Sequence, residues 1–238
     1  MGQTILHKAD TRGAADHGWL KSHQTFSFGM HYNPERIQFG ALRVLNDDRV
    51  TGGGGFGEHP HDNMEIISIP LRGSLQHEDS MDNIAVIEPG EIQVMSAGTG
   101  IYHKEFNKSK ITTVEFLQIW LFPNQRNVEP RYQQISYEAL MKPNAFTQIL
   151  SPDQHDQGVW IYQNAWFNIG KFEAGNKIDY KLKNKENGLY VFIIEGDALV
   201  NDQILNTRDG YGLWETDLVS ITSTTVSEIL LMEVPMNL

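Results

Sequence analysis

The chain has no cysteine. Disulfides, zinc–thiolate sites and thiol nucleophiles are therefore excluded. It is also short of positive charge: Lys plus Arg number 19 against 30 for Asp plus Glu, a formal net charge of −11. No Lys/Arg run offsets this balance, and an acidic surface repels phosphate backbones, so no direct nucleic-acid partner is expected. No apolar run approaches the length of a membrane span, so no membrane association is expected either. The first residues lack the basic-then-apolar order of a signal peptide. Leu6 stands where a myristoylation motif requires Ser or Thr. The expected location is the cytoplasm.

Within 238 residues, 40% hydrophobic and 21% charged, there is material for a sizeable core. Short apolar runs recur between turn signals. Met64-Glu-Ile-Ile-Ser-Ile-Pro-Leu71 turns at Arg72-Gly73-Ser74, and Ile84-Ala-Val-Ile87 leads to Glu88-Pro89-Gly90. Residues 112–122 alternate around Phe116, Gln118 and Trp120. Strands every eight to twelve residues predict an antiparallel sandwich or barrel rather than βαβ units. The polar stretch 123–130, with two prolines, marks a boundary between residues 1–125 and 126–238. A loose internal echo relates the halves: an apolar run ends in Arg72-Gly73 in one and Glu195-Gly196 in the other. Aligning on these glycines puts Leu182 and Asn184 at the places of His59 and His61, and Ser223 and Thr225 at those of His103 and Glu105. This predicts two related β-barrels, with metal ligands in the first only.

The chemistry is concentrated in residues 53–107. One end reads Gly-Gly-Gly-Phe-Gly-Glu-His59-Pro-His61, the other Gly-Thr-Gly-Ile-Tyr-His103-Lys-Glu105-Phe-Asn. Residues i and i+2 of a strand share a face, so His59 with His61, and His103 with Glu105, can aim at one point. Three imidazoles and a carboxylate suit Fe, Mn, Co, Ni, Cu or Zn. Such a set leaves two adjacent octahedral positions open and a local charge near +1, which favours an enolate, phenolate or carboxylate ligand. Glu65 competes with Glu105, because His59-x-His61-x₃-Glu65 also has ligand spacing; it shares their face only if the strand runs unbroken, and Glu105 is placed first. His77, beside Glu78 and Asp79, reads as solvated. His155 lies in a polar loop, and His17 and His23 adjoin aromatic residues.

The same residues resemble the cupin pattern: Gly53-x₅-His59-x-His61-x₃-Glu65, then Gly90 through Gly98 to His103-x₃-Asn107. Two departures are a seven-residue spacing from Glu65 to Gly73 and Ser96 where proline is common. A closer resemblance, over nearly the whole chain, is to the pirin family. It is carried by His17-Gly18-Trp19-Leu20, Thr25-Phe26-Ser27-Phe28, Ala41-Leu42-Arg43-Val44 and Phe56-Gly57-Glu58-His59-Pro60-His61. It continues through His77-Glu78-Asp79, Met95-Ser96-Ala97-Gly98-Thr99-Gly100-Ile101, His103, Glu105 and Gln118-Ile119-Trp120. The resemblance implies an all-β bicupin of two antiparallel β-barrel (double-stranded β-helix, jelly-roll-like) domains. Metal would sit in the first, on His59, His61, His103 and Glu105. Fe(2+) is the expected ion, with Mn, Co, Ni, Cu or Zn also compatible.

Several pirins are similar to quercetin 2,3-dioxygenases, which cleave a flavonol's central ring with dioxygen and release carbon monoxide. That implies a small aromatic or enolic substrate and O2. Glu105 would be both ligand and general base, and Phe26, Phe28 and Tyr102 are expected pocket walls. Eukaryotic pirins also resemble transcription co-regulators, so the alternative is a non-enzymatic metal-binding module with a protein partner. A monomer is expected.

Overall fold

The structure, a computed structural model, describes residues 2–237. Among these residues it is all-β, with only two three-residue 3₁₀ turns, at Ala9–Thr11 and Glu138–Leu140. No helix among the described residues is long and apolar enough to cross a membrane. The strands form four sheets, two of seven strands and two of four. Each half of the chain stacks a large sheet on a small one.

The expectation of two closed barrels is not met. The four hydrogen-bond ladders share no strand, so each unit is an open two-sheet sandwich. The physical reason lies at the corners. Between Leu42–Val50 and Gly55–His61 the chain turns through Gly53 (φ 76), and between His61 and Glu65–Arg72 through Asn63 (φ 45). These left-handed residues end one ladder before the next begins. Strand spacing in a sequence reports strands and turns, but not whether pairing continues around a corner.

Strand alternation gives each large sheet two different faces. In Glu65–Arg72, Ile67 and Ile69 point to one side and Ile66 and Ser68 to the other. The outer faces of the two large sheets pack on each other. Ile67, Ile69, Leu117 and Ile119 from the first half share one core with Phe167, Tyr190, Phe192 and Leu230 from the second. Each such side chain stabilises the fold by roughly 1.5–3 kcal/mol on burial.

Two strands cross the seam. Gln3–His7 adds to the second half's sheet by pairing with Gly210–Trp214, and Arg131–Ser136 adds to the first half's sheet by pairing with Glu91–Ser96. The exchange is reciprocal: each strand is the edge next to an equivalent neighbour.

The inner faces differ between halves. In the second half one continuous apolar cluster, including Tyr180, Leu182, Val200, Val219 and Ile221, fills the space between sheets. In the first half the apolar filling is split, with Leu20, Val50, Leu75 and Phe116 on one side and Ile66, Met95, Ala97 and Ile101 on the other. A cavity of about 760 Å³ opens among them.

Because the seam core belongs to both halves, they should unfold together. Phe167→Ala is expected to cost about 3–5 kcal/mol. Urea transitions followed by near-UV circular dichroism and tryptophan fluorescence should coincide; two separated steps would show that the halves are independent.

Candidate metal centre

The strand Ile101–Asn107 lies between two neighbours in its small sheet, Gly55–His61 and Leu75–Asp79. Register on one side sets His103 opposite His59 and Ile101 opposite His61. On the other side it sets Glu105 opposite His77 and His103 opposite Asp79. A bulge between His103 and Glu105 brings Glu105 opposite Phe56, so three residues of the partner strand span two of this one.

The result is two overlapping clusters among the described residues. In one, the ligand atoms of His59, His61 and His103 all lie within 4.8 Å of one another; in the other, those of His77, His103 and Glu105 do. Ring centroids of the first three are 4.4 to 4.9 Å apart.

Hydrogen bonds settle which nitrogens face inward. A carbonyl oxygen can only accept, so His59 Nδ1 carries the proton it donates to Gly57 O at 2.7 Å. His77 Nε2 lies 3.0 Å from Asp79 Oδ2 and must donate to that carboxylate. Neutral His77 then accepts at Nδ1, so His103 Nδ1 is the donor across their 3.5 Å contact. His103 is thereby left with its Nε2 pointing at His59 and His61 as an acceptor. Burial, followed by neighbouring imidazoles, depresses His61 to about 4 and His103 to about 2. His77 is also lowered, burial again the largest cause. These imidazoles are neutral at physiological pH, and the Nε2 atoms of His61 and His103 are buried with no partner.

Glu105 is buried, with Gln118 Nε2 donating to Oε2 at 2.7 Å and Ser68 Oγ to Oε1 at 3.1 Å. Burial pushes it up to about 7, and the nearby Asp48 carboxylate adds to that. Glu65 sits elsewhere. It begins a strand of the large sheet and accepts a 2.7 Å hydrogen bond from Ser96 Oγ. It belongs to neither cluster because the strand carrying His59 and His61 stops at His61 and the chain changes sheets before Glu65.

The cavity carries aromatic pairs on its walls. Phe28 meets Trp120 edge to face at 5.3 Å and Trp19 meets Phe56 at 5.2 Å. Of the expected walls, Phe28 lines the cavity, Phe26 packs into the seam core, and Tyr102 points outward, 53% exposed. His17 lines the mouth, while His23 lies in a separate cleft with Arg12 and Asp47.

His77 is not solvated, as its acidic neighbours suggested; it is fully buried. The signal was strand parity: Leu75, His77 and Asp79 share the inward face, and Gln76 and Glu78 the other. The glycine-based alignment of the halves also shifts. Equivalent ladder positions pair His59 with Tyr180, His61 with Leu182, His103 with Val219 and Glu105 with Ile221. Unequal loops displaced that alignment, and each position is apolar in the second half's core.

Two sandwiches of matching strand order in one chain, with an imidazole–carboxylate cluster in the first, define a bicupin. Residues 6–121 match the family described as Pirin, and residues 148–234 that described as Quercetinase C-terminal cupin domain. The chain is 37% identical over 234 residues to a quercetin 2,3-dioxygenase of Escherichia coli (strain K12), covering 97% of this chain and 98% of that protein. It is 35% identical to a pirin-like protein of Caulobacter vibrioides over 94% of this chain and 96% of that one. The bacterial pirin YhhW from Escherichia coli, solved in complex with nickel(II), superposes with a TM-score of 0.92 at 36% identity, covering 98% of this chain and 99% of that one. The chain belongs to the pirin family.

The raised value of Glu105 has a measurable sign. In metal-free protein its folded value, about 7, exceeds the ordinary 4.5. The cost of its ionisation is absent below about 4.5, grows as pH rises, and is complete above about 7. Glu105→Gln should therefore raise the melting temperature of metal-free protein more at pH 8 than at pH 5. An equal change at both would show that Glu105 ionises freely.

Proposed function

We propose that this chain is a metal-dependent dioxygenase that opens the central ring of flavonols such as quercetin, with one divalent ion held by His59, His61, His103 and Glu105. The observation that carries this reading is the convergence of bare, neutral imidazole nitrogens beside a buried carboxylate, at a cavity with flat aromatic walls. Buried lone pairs without donors are costly, and a cation is the partner they fit. The donor set, nitrogen and oxygen without sulfur, suits Fe(2+), the ion placed first, and also nickel(II), the ion with which YhhW was solved. The quercetin 2,3-dioxygenase name of the Escherichia coli relative supports the reaction class.

A bound divalent ion supplies positive charge and redox capacity next to the substrate's oxygen. The remaining work falls to side chains. Glu105 takes the proton of the flavonol 3-hydroxyl onto its buried carboxylate. Gln118 and Ser68 fix the direction of that carboxylate. Phe28 and Trp120 hold the flat ring system and keep water from it. Asp79 and His77 lock the His103 tautomer that presents Nε2 inward.

Protein loaded anaerobically with iron should consume quercetin and oxygen together and yield carbon monoxide with a ring-opened ester. No oxygen uptake with any of Fe, Mn, Co, Ni or Cu would sink the proposal. Glu105→Ala should lower metal content and Glu65→Ala should not; the reverse result would move the carboxylate ligand to Glu65. His77→Phe should weaken metal binding about 10–100-fold in a chelator-competition titration while the fold persists.

A further inference from the structure

Facing the histidines across the cavity, the inner face of the first large sheet is polar where an apolar core would be expected. Ser22, Gln24, Asn46, Asp48 and Gln118 are all buried and all line the cavity. The register groups them in rows: Gln24, Asn46 and Gln118 sit side by side, and Ser22 and Asp48 form the next row with Phe116. Gln118 donates an amide N–H to Glu105, and no hydrogen bond reaches Asn46 Oδ1 from it. Two oxygens are left over. Asn46 Oδ1 and Asp48 Oδ1 are buried without any hydrogen-bond partner, on side chains only 2% and 3% exposed. Both belong to strand Leu42–Val50 and, two residues apart, face the same side about 6.5–7 Å from each other.

Buried acceptors without donors are rare and lower stability unless a partner arrives. A partner for these two must bring donors, and must fit a cavity lined by Phe28, Trp120, Trp19 and Phe56, which suits an aromatic ring system. We infer that Asn46 and Asp48 form a hydroxyl-recognition subsite, which binds ring hydroxyl groups of a polyphenolic substrate while its reacting oxygen faces the imidazoles. This rests on the cavity being the substrate site of the proposed reaction. A phenolic hydroxyl donates to Asn46 Oδ1; it donates to Asp48 as a carboxylate and can accept from Asp48 as a protonated acid. Asp47, between these residues on the strand, faces the opposite side and pairs with Arg12 at 3.2 Å, so it takes no part.

The test compares quercetin with 3-hydroxyflavone, which keeps the 3-hydroxyl and lacks the other ring hydroxyls. Binding to metal-loaded protein is read without oxygen, through quenching of tryptophan fluorescence; Trp19 and Trp120 line the cavity. The parent protein should prefer quercetin, and Asn46→Ala and Asp48→Ala should each lower the affinity ratio about tenfold. Asp48→Asn, which keeps the shape, should lower the ratio without lowering the melting temperature, because the buried carboxyl serves the ligand rather than the fold. Equal binding of both flavonols by the parent, or an unchanged ratio in the variants, would overturn the subsite. So would a fall in melting temperature of Asp48→Asn with the ratio intact. Because binding is read without turnover, a preference seen alongside a failed oxygen assay refutes the reaction and leaves the subsite standing. Turnover without preference does the opposite.

Discussion

The structure depends on the apolar seam between the two large sheets. A sheet with both faces polar would not stay folded, and a sheet with both faces apolar would have no room for chemistry. Here the outer face of the first large sheet is buried against the second half through Ile67, Ile69, Leu117 and Ile119. That burial holds the backbone in place, so the inner face can carry Ser68, Asn46, Asp48 and Gln118 around an open cavity. The second half, filled by its own apolar cluster, is the rigid support on which this opening rests. The candidate ligand positions of one half and the core positions of the other are the same places in the ladder, used for opposite ends.

Within the cavity, order is imposed by pairing rather than by loops. The strand Ile101–Asn107 contributes His103 and Glu105, and the flanking strands bring His59 on one side and His77 and Asp79 on the other into register with them. Beyond them Asp79 anchors His77, and His77 anchors His103, so a buried carboxylate reaches the inner nitrogen through two rings. On the other side of Glu105, Ser68 and Gln118 fix the carboxylate from the large sheet. The site is thus clamped from both sheets at once, which accounts for a group of titratable side chains remaining ordered in a hollow interior.

Much of this was legible in the sequence because period-two patterns are strong in short strands. The His-x-His and His-x-Glu spacings predicted shared faces, and the structure places all four side chains around one cavity. What failed did so for identifiable reasons. His77 was masked by Glu78 and Asp79, although its parity with Leu75 assigned it to the interior. Asn46-Asp47-Asp48 has the composition of a turn, yet it lies within a nine-residue strand that continues to Val50. Barrel closure is a property of hydrogen bonding across corners and has no counterpart in residue spacing. Nor could spacing reveal that Gln3–His7 and Arg131–Ser136 each pair across the seam, because strand partners far apart in sequence leave no local periodic trace.

That exchange of edge strands makes the chain interlocked. The strand Gln3–His7 finds its partner only at Gly210–Trp214, some two hundred residues later, so the second half's sheet is completed by a segment made well before the rest of it. Cutting the chain near its middle would leave each piece with an unpaired sheet edge, an open template for aggregation. The two halves resemble a duplicated unit in architecture, but as folding objects they are a handshake that neither hand can complete alone.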